Sequence, residues 1–165
     1  YCSGDKMLRE SGGNWIILRT FSKAWGLAGL RVGFGICSSV ELREALNLTR
    51  TPFNVNASAQ MAASTSLAAS DFMKANIEKT ASERSRVATA LLELGYKIAP
   101  SLGNFLFFDS RAPSGILADA LLRKGTVVKP WKQAGFDTFL RVSIGSAADN
   151  DKFIADLRAC SNNAD

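Results

Sequence analysis

A continuous apolar run at residues 15–18 (WIIL), preceded by Asn14, leads into TFSKAWGLAGLRVG at residues 20–33, and no other feature constrains the chain as tightly. The run lacks the alternation of a half-exposed strand, so residues 15–18 read as a buried strand of a parallel sheet. Such sheets carry helices on their faces, which makes the expected fold class α/β. Ligands of open α/β sheets gather at the carboxyl ends of the strands. Lys23 falls just past such an end, where a primary amine can attack a carbonyl. Gly26 and Gly29 then let the backbone turn closely before Arg31, which opens a second expected strand over residues 31–37.

A guanidinium returning toward the same place grips a phosphate with paired, charge-assisted hydrogen bonds, and Thr20 and Ser22 add hydroxyl donors. An amine nucleophile beside a phosphate grip fits pyridoxal 5'-phosphate, whose aldehyde condenses with lysine while its phosphate is anchored separately. Residues 33–38 (GFGICS) partly imitate a dinucleotide fingerprint. They end in serine and lie inside an expected strand, so nucleotide binding is rejected there.

Residues 15–35 resemble the lysine-bearing motif of fold-type I aminotransferases, most closely that of the histidinol-phosphate aminotransferases. Later segments agree in order: TPFNVN at 51–56, GNFLFF at 103–108, LRVSIG at 140–145, and Asn150-Asp151. The resemblance implies the carboxyl-terminal part of a fold-type I transferase, comprising the end of the large α/β domain and a small α+β domain. Residues 1–85 would belong to the first and 86–165 to the second. It further implies transamination with glutamate or 2-oxoglutarate, with Lys23 as the catalytic lysine and Thr20, Ser22, Lys23 and Arg31 as the cofactor-binding set.

At the substrate end, period-two alternation in residues 139–144 puts Leu140, Val142 and Ile144 on one strand face and Arg141 on the other. By resemblance, Arg141 holds the carboxylate of the amino acid or 2-oxo acid with its planar fork. Lys129 stands where histidinol-phosphate aminotransferases usually carry an arginine that helps hold the substrate's phosphate. A lysine keeps the charge and loses the fork, so an aromatic or other amino acid is the alternative to an amino-alcohol phosphate substrate. Asn104 resembles a position close to the site. The tyrosine that contacts the cofactor ring is not assigned to Tyr1, because the interval to Lys23 is shorter than the family spacing.

The resemblance places the aspartate that pairs with the pyridinium nitrogen before the first residue, and Tyr1 in place of methionine suggests a longer parent. The chain alone is therefore expected to bind cofactor weakly and turn over negligibly. An expectation of another class is a truncated, folded interaction module without catalysis, which intact mass of the gene product would distinguish. A homodimer is implied by the family alone.

Composition narrows the remaining classes. The chain has 47% hydrophobic and 21% charged residues, ordinary for a globular protein. Its 20 basic and 15 acidic residues give +5, but scattered, without the aromatic-studded basic stripe of a nucleic-acid binder. Three cysteines, Cys2, Cys37 and Cys160, show no metal-ligand spacing, and histidine is absent, so no metal site is expected. No stretch approaches the roughly 20 apolar residues of a membrane span. A cytoplasmic location in a reducing compartment is the expectation.

The remaining pattern is mostly helical punctuation. Ser38 to Glu41 forms a capping-box pattern for a helix to about residue 48, and Asn56 can cap a second to about 69. A long amphipathic helix is expected over 71–94, closed by Gly95, with Lys74–Glu78 and Lys79–Glu83 as i,i+4 pairs. Strands follow at 96–99 and 104–108, a helix at 114–124 closed by Gly125, strands at 126–129 and 139–144, and a last helix opened by the pattern Ser146 to Asp149.

Overall fold

The computed structural model describes residues 4–161, so the expectations attached to Tyr1 and Cys2 lie outside the described residues. The backbone forms two compact units, divided between Asn76 and Ile77 inside the long helix.

The first unit opens with α1 (Gly4–Ser11), followed by β1 (Ile16–Thr20) and β2 (Gly33–Cys37). Among the described residues β1 has no parallel neighbour: it pairs antiparallel with β2, from Ile16↔Cys37 to Thr20↔Gly33. The reason lies in residues 21–32, which hold a turn and a 3-10 helix at Ala28–Leu30 and no crossover helix. Without that helix the chain doubles back beside itself. The expectation of burial for residues 15–18 fails as well, since Ile16 is 40% exposed and Leu18 75% exposed. Among the described residues no further strand flanks this two-stranded ribbon to cover its apolar side chains.

At the end of the ribbon closed by residues 21–32, Phe21, Val32, Ala59 and Ala63 form a small core, with Trp25, Leu27, Leu30 and Val55 packed against it. The alanines come from α3 (Ala57–Ala68), which follows α2 (Val40–Leu48). Asn56 caps α3 as expected, accepting from the Ala59 N–H at 2.8 Å. At α2 the cap is Ser39, one residue later than the capping-box pattern, accepting from the Leu42 N–H. Ser38 is otherwise engaged: its Oγ accepts from the Trp15 N–H at 3.1 Å and ties the end of β2 to the start of β1.

The second unit is built on the later part of α4 (Ser70–Glu93), then β3 (Lys97–Ile98), β4 (Phe105–Asp109), α5 (Ser114–Arg123), β5 (Lys129–Pro130), β6 (Phe139–Ser143) and α6 (Ala147–Ser161). Its four strands pair antiparallel throughout in the order β3-β4-β6-β5. Leu106, Phe108, Leu140 and Val142 point to one face, where they pack with Val87 and Leu91 of α4, Leu121 of α5, and Phe153 and Leu157 of α6. A fully buried leucine such as Leu140 contributes about 2–5 kcal/mol against truncation to alanine.

Helix ends follow local chemistry. At Gly95, φ is +80°, and the Gly95 and Tyr96 N–H groups bond the carbonyls of Leu92 and Leu91, closing α4 as a Schellman motif. Gly125 repeats this on α5, with Gly125 and Thr126 bonded to Leu122 and Leu121. That bond occupies Thr126, whose hydroxyl also donates to Asp156, so the strand expected at 126–129 is reduced to Lys129–Pro130. At α6, the Asp149 N–H donates to Ser146 Oγ while Asp149 Oδ2 accepts from the Ser146 N–H and hydroxyl, the expected reciprocal cap. The expected i,i+4 pairs on α4 give way to i,i+3 pairs, Lys74–Asp71 at 3.2 Å and Arg86–Glu83 at 2.7 Å.

Candidate active site

In the first unit, the residues read as a cofactor grip lie at one end of the β1–β2 ribbon. Beyond Thr20↔Gly33 the ladder continues for one more rung, the Phe21 N–H donating to the Val32 carbonyl at 3.2 Å. The next positions outward are Ser22 on one side and Arg31 on the other, with Lys23 following Ser22. Phe21 anchors this end, 2% exposed, its ring 5.9 Å from Trp25 and 5.6 Å from Phe34.

Lys23 is exposed and starts a turn in which the Gly26 N–H donates to its carbonyl at 2.9 Å. Gly26 has φ +72°, a conformation that costs glycine little. The Leu27 N–H returns to the Phe21 carbonyl and closes the loop on itself. Thr20 Oγ1 accepts from the Ser22 N–H at 3.0 Å and donates to Ser22 Oγ at 2.9 Å, so the two hydroxyls stand together. Arg31 adopts φ +52°, rare for a side-chain-bearing residue, and its guanidinium donates to Ala28 O at 2.7 Å. Gly33 is required by close approach, because a Cβ there would lie 2.5 Å from the Arg19 carbonyl oxygen.

The donor set therefore consists of adjacent hydroxyls, a guanidinium with further N–H groups, and a primary amine, presented from one ribbon end. Among the described residues, neither Lys23 nor Arg31 has an ion-pair partner. Such a set suits a phosphate-bearing aldehyde: three anion donors beside one nucleophile.

In the second unit, Arg141 of β6 lies directly across from Phe107 on β4 and Lys129 on β5. Opposite residues share a face, so all three stand on the side away from the core. Arg141 is half-buried and has no ion-pair partner among the described residues. Its guanidinium lies 5.2 Å from the centroid of Phe105, a partner that sequence reading did not single out. Lys129 Nζ sits 5.3 Å from the Trp131 ring, and Phe107 stacks on Phe139 at 4.9 Å. Asn104 is exposed and engaged through its backbone, its carbonyl accepting from the Ile144 N–H at 2.9 Å. No group of three or more Cys, Asp or Glu side chains among the described residues could hold a metal ion.

The mixed α/β architecture is that of the fold-type I transferases. A histidinol-phosphate aminotransferase from Sinorhizobium meliloti, solved in complex with pyridoxal-5'-phosphate, superposes with TM-score 0.81 and 28% identity over 91% of this chain and 42% of that one. The aminotransferase class I and II model matches residues 2–157, and the chain belongs to that family. It is 51% identical over 157 residues to histidinol-phosphate aminotransferase 1 of Mesorhizobium japonicum, and 49% identical over 158 residues to histidinol-phosphate aminotransferase 3 of Rhizobium meliloti. It spans 95% and 96% of itself in these matches but only 43% of each relative's length.

Proposed function

We propose that this chain is part of a pyridoxal-phosphate-dependent aminotransferase that exchanges an amino group between histidinol phosphate, or a closely similar amine, and 2-oxoglutarate. The observation that carries the reading is the grouping of Thr20, Ser22, Lys23 and Arg31 at one ribbon end, where the last rung joins Phe21 to Val32. Lys23 would hold the cofactor through its amine, and Thr20, Ser22 and Arg31 would hold its phosphate. When bound, the cofactor supplies an electron sink for charge developing at the substrate's α-carbon.

Lys23 has a second task. Its Nζ would take the proton from the substrate's α-carbon and pass it to the cofactor's 4' carbon, which needs an amine within reach of both atoms. Arg141 receives the co-substrate's carboxylate in a bidentate pair, an arrangement favoured by its half-burial and by its having no acidic partner among the described residues. Asn104 lines the same end of the sheet. A homodimer in the cytoplasm is part of this proposal; among the described residues no helix is long and apolar enough to cross a membrane.

Lys129 favours a second reading. With its ammonium against Trp131 and Phe107 and Phe139 on the same sheet face, an aromatic amino acid is the competing donor. Comparing kcat/KM for histidinol phosphate and phenylalanine decides between them. For the reaction itself, borohydride reduction of the whole, cofactor-loaded protein followed by peptide mapping is expected to label Lys23. A label on another lysine removes the proposal.

A further inference from the structure

We propose that Arg84 and Glu83, adjacent on α4, are positioning residues that hold the Phe105–Arg141 pair in place; this rests on the reading of Arg141 as the carboxylate receptor. Phe105 and Ser143 are the terminal rung of the β4–β6 ladder, so the loops at residues 101–104 and 144–146 emerge side by side, two rungs from Arg141. The Ile144 N–H joins them by donating to the Asn104 carbonyl.

Each loop is tied to α4 by a different side chain. The Arg84 guanidinium donates to the Gly103 carbonyl at 2.9 Å. Within the same loop, Ser101 Oγ accepts from the Gly103 N–H and donates to the Phe105 carbonyl at 2.7 Å, so the tether reaches the residue whose ring supports Arg141. On the other loop, Asn150 is 3% exposed and fully engaged: its Oδ1 accepts from the Gly145 N–H, and its Nδ2 donates to the Gly145 carbonyl and to Glu83 Oε2 at 2.7 Å. Glu83 is itself held by Arg86.

The geometry makes α4 the reference against which both ends of the rung are set. A carboxylate fork tolerates little displacement, because bidentate pairing requires both N–H groups in plane with both oxygens. Neither Glu83 nor Arg84 need touch substrate to matter. Loss of either tie lets one loop relax, tilting Phe105 or the end of β6, and the expected cost falls on binding of the group Arg141 receives.

The test uses the whole, cofactor-loaded protein and half-reaction kinetics with glutamate and with a carboxylate-free amine donor. Arg84→Met is expected to raise the glutamate KM about 5-fold with kcat within about 2-fold, leaving the carboxylate-free amine unaffected. Arg84→Lys, which can still reach the Gly103 carbonyl, is expected to restore most of the loss, and Glu83→Gln provides an independent tie to loosen. Arg141→Ala run in parallel separates the two ideas. If Arg141→Ala raises the glutamate KM while the Arg84 and Glu83 variants do not, the positioning role is wrong and the receptor stands. If Arg141→Ala also leaves it unchanged, the receptor reading is wrong. Equal losses with both amines, tracking a fall in melting temperature, mean a structural role alone and overturn the inference.

Discussion

Arg141 lies over the ring of Phe105, its guanidinium 5.2 Å from the ring centroid, although the residues sit on different strands. The contact comes from the antiparallel pairing of β4 with β6, which places Phe107 opposite Arg141 and Phe105 opposite Ser143 on the same face. A flat aromatic face holds the guanidinium plane without consuming its N–H groups, leaving the fork for a carboxylate. Phe105→Leu keeps the apolar bulk and removes the π-face. It is expected to raise the KM for glutamate about 2- to 5-fold, matching a cation–π contribution of about 0.5–1 kcal/mol. Steady-state kinetics on the whole protein checks this, and an unchanged KM means the ring is only packing.

Arg31 couples grip to strain. With φ at +52° it occupies a left-handed conformation that costs a side-chain-bearing residue on the order of 1 kcal/mol. Arg31→Gly is therefore expected to leave thermal stability unchanged or slightly raised while weakening pyridoxal phosphate binding about tenfold or more. Equilibrium dialysis and a melting curve on the same sample read the two effects separately. A parallel fall in both would show that Arg31 serves the fold and not the phosphate.

Asp156 supplies a pH dependence. The Lys152 ammonium, 2.6 Å away, and then the Thr126 hydroxyl hold its carboxyl below the usual aspartate value. A carboxyl whose folded pKa is depressed adds stability at pH values above its unfolded pKa of about 3.9, and that stability is lost as pH falls through the folded value. Asp156→Asn is thus expected to lower the urea midpoint at pH 7 and to make it fall less between pH 5 and pH 2. Equal acid sensitivity in the two proteins would dismiss the contribution.

What could be read in advance was whatever is decided within a few residues. Gly95 and Gly125 announce helix ends because only a left-handed residue completes the turn, and Ser146 with Asp149 announces a helix start. The alternation around Arg141 placed Leu140 and Val142 inward for the same reason. Strand direction was not legible, since the apolar run at residues 15–18 says nothing about which way a partner runs, and its side chains are not buried by the described residues. The first helix was not among the expected elements, because Gly4–Ser11 is only eight residues long, about two turns, too short for a helical period to be told from chance. Among the candidate site residues, Lys23 and Arg31 were visible as a motif. The support beneath Arg141 was not, because Phe105, Gly103 and Arg84 meet through a sheet register and a helix contact that no local window contains.

Two glycines in the same segment have opposite requirements. At Gly33 a Cβ would lie 2.5 Å from the Arg19 carbonyl oxygen, a backbone atom fixed by the pairing of Thr20 with Gly33. At Gly29, in the 3-10 turn, a Cβ would meet nothing within 4 Å. Gly33→Ala is expected to force the ribbon apart next to its last rungs and to cost about 1–3 kcal/mol. Gly29→Ala is expected to be neutral or mildly stabilising, by a few tenths of a kcal/mol to about 1, through a less flexible unfolded chain. Urea titration of both variants measures the difference directly. Since Phe21 and Val32 lie on the rung beside Thr20 and Gly33, Gly33→Ala should also loosen cofactor binding, whereas Gly29→Ala should not lower stability. Equal stability of the two variants would mean that the ribbon yields freely at this end and cannot hold Ser22 and Arg31 across from one another.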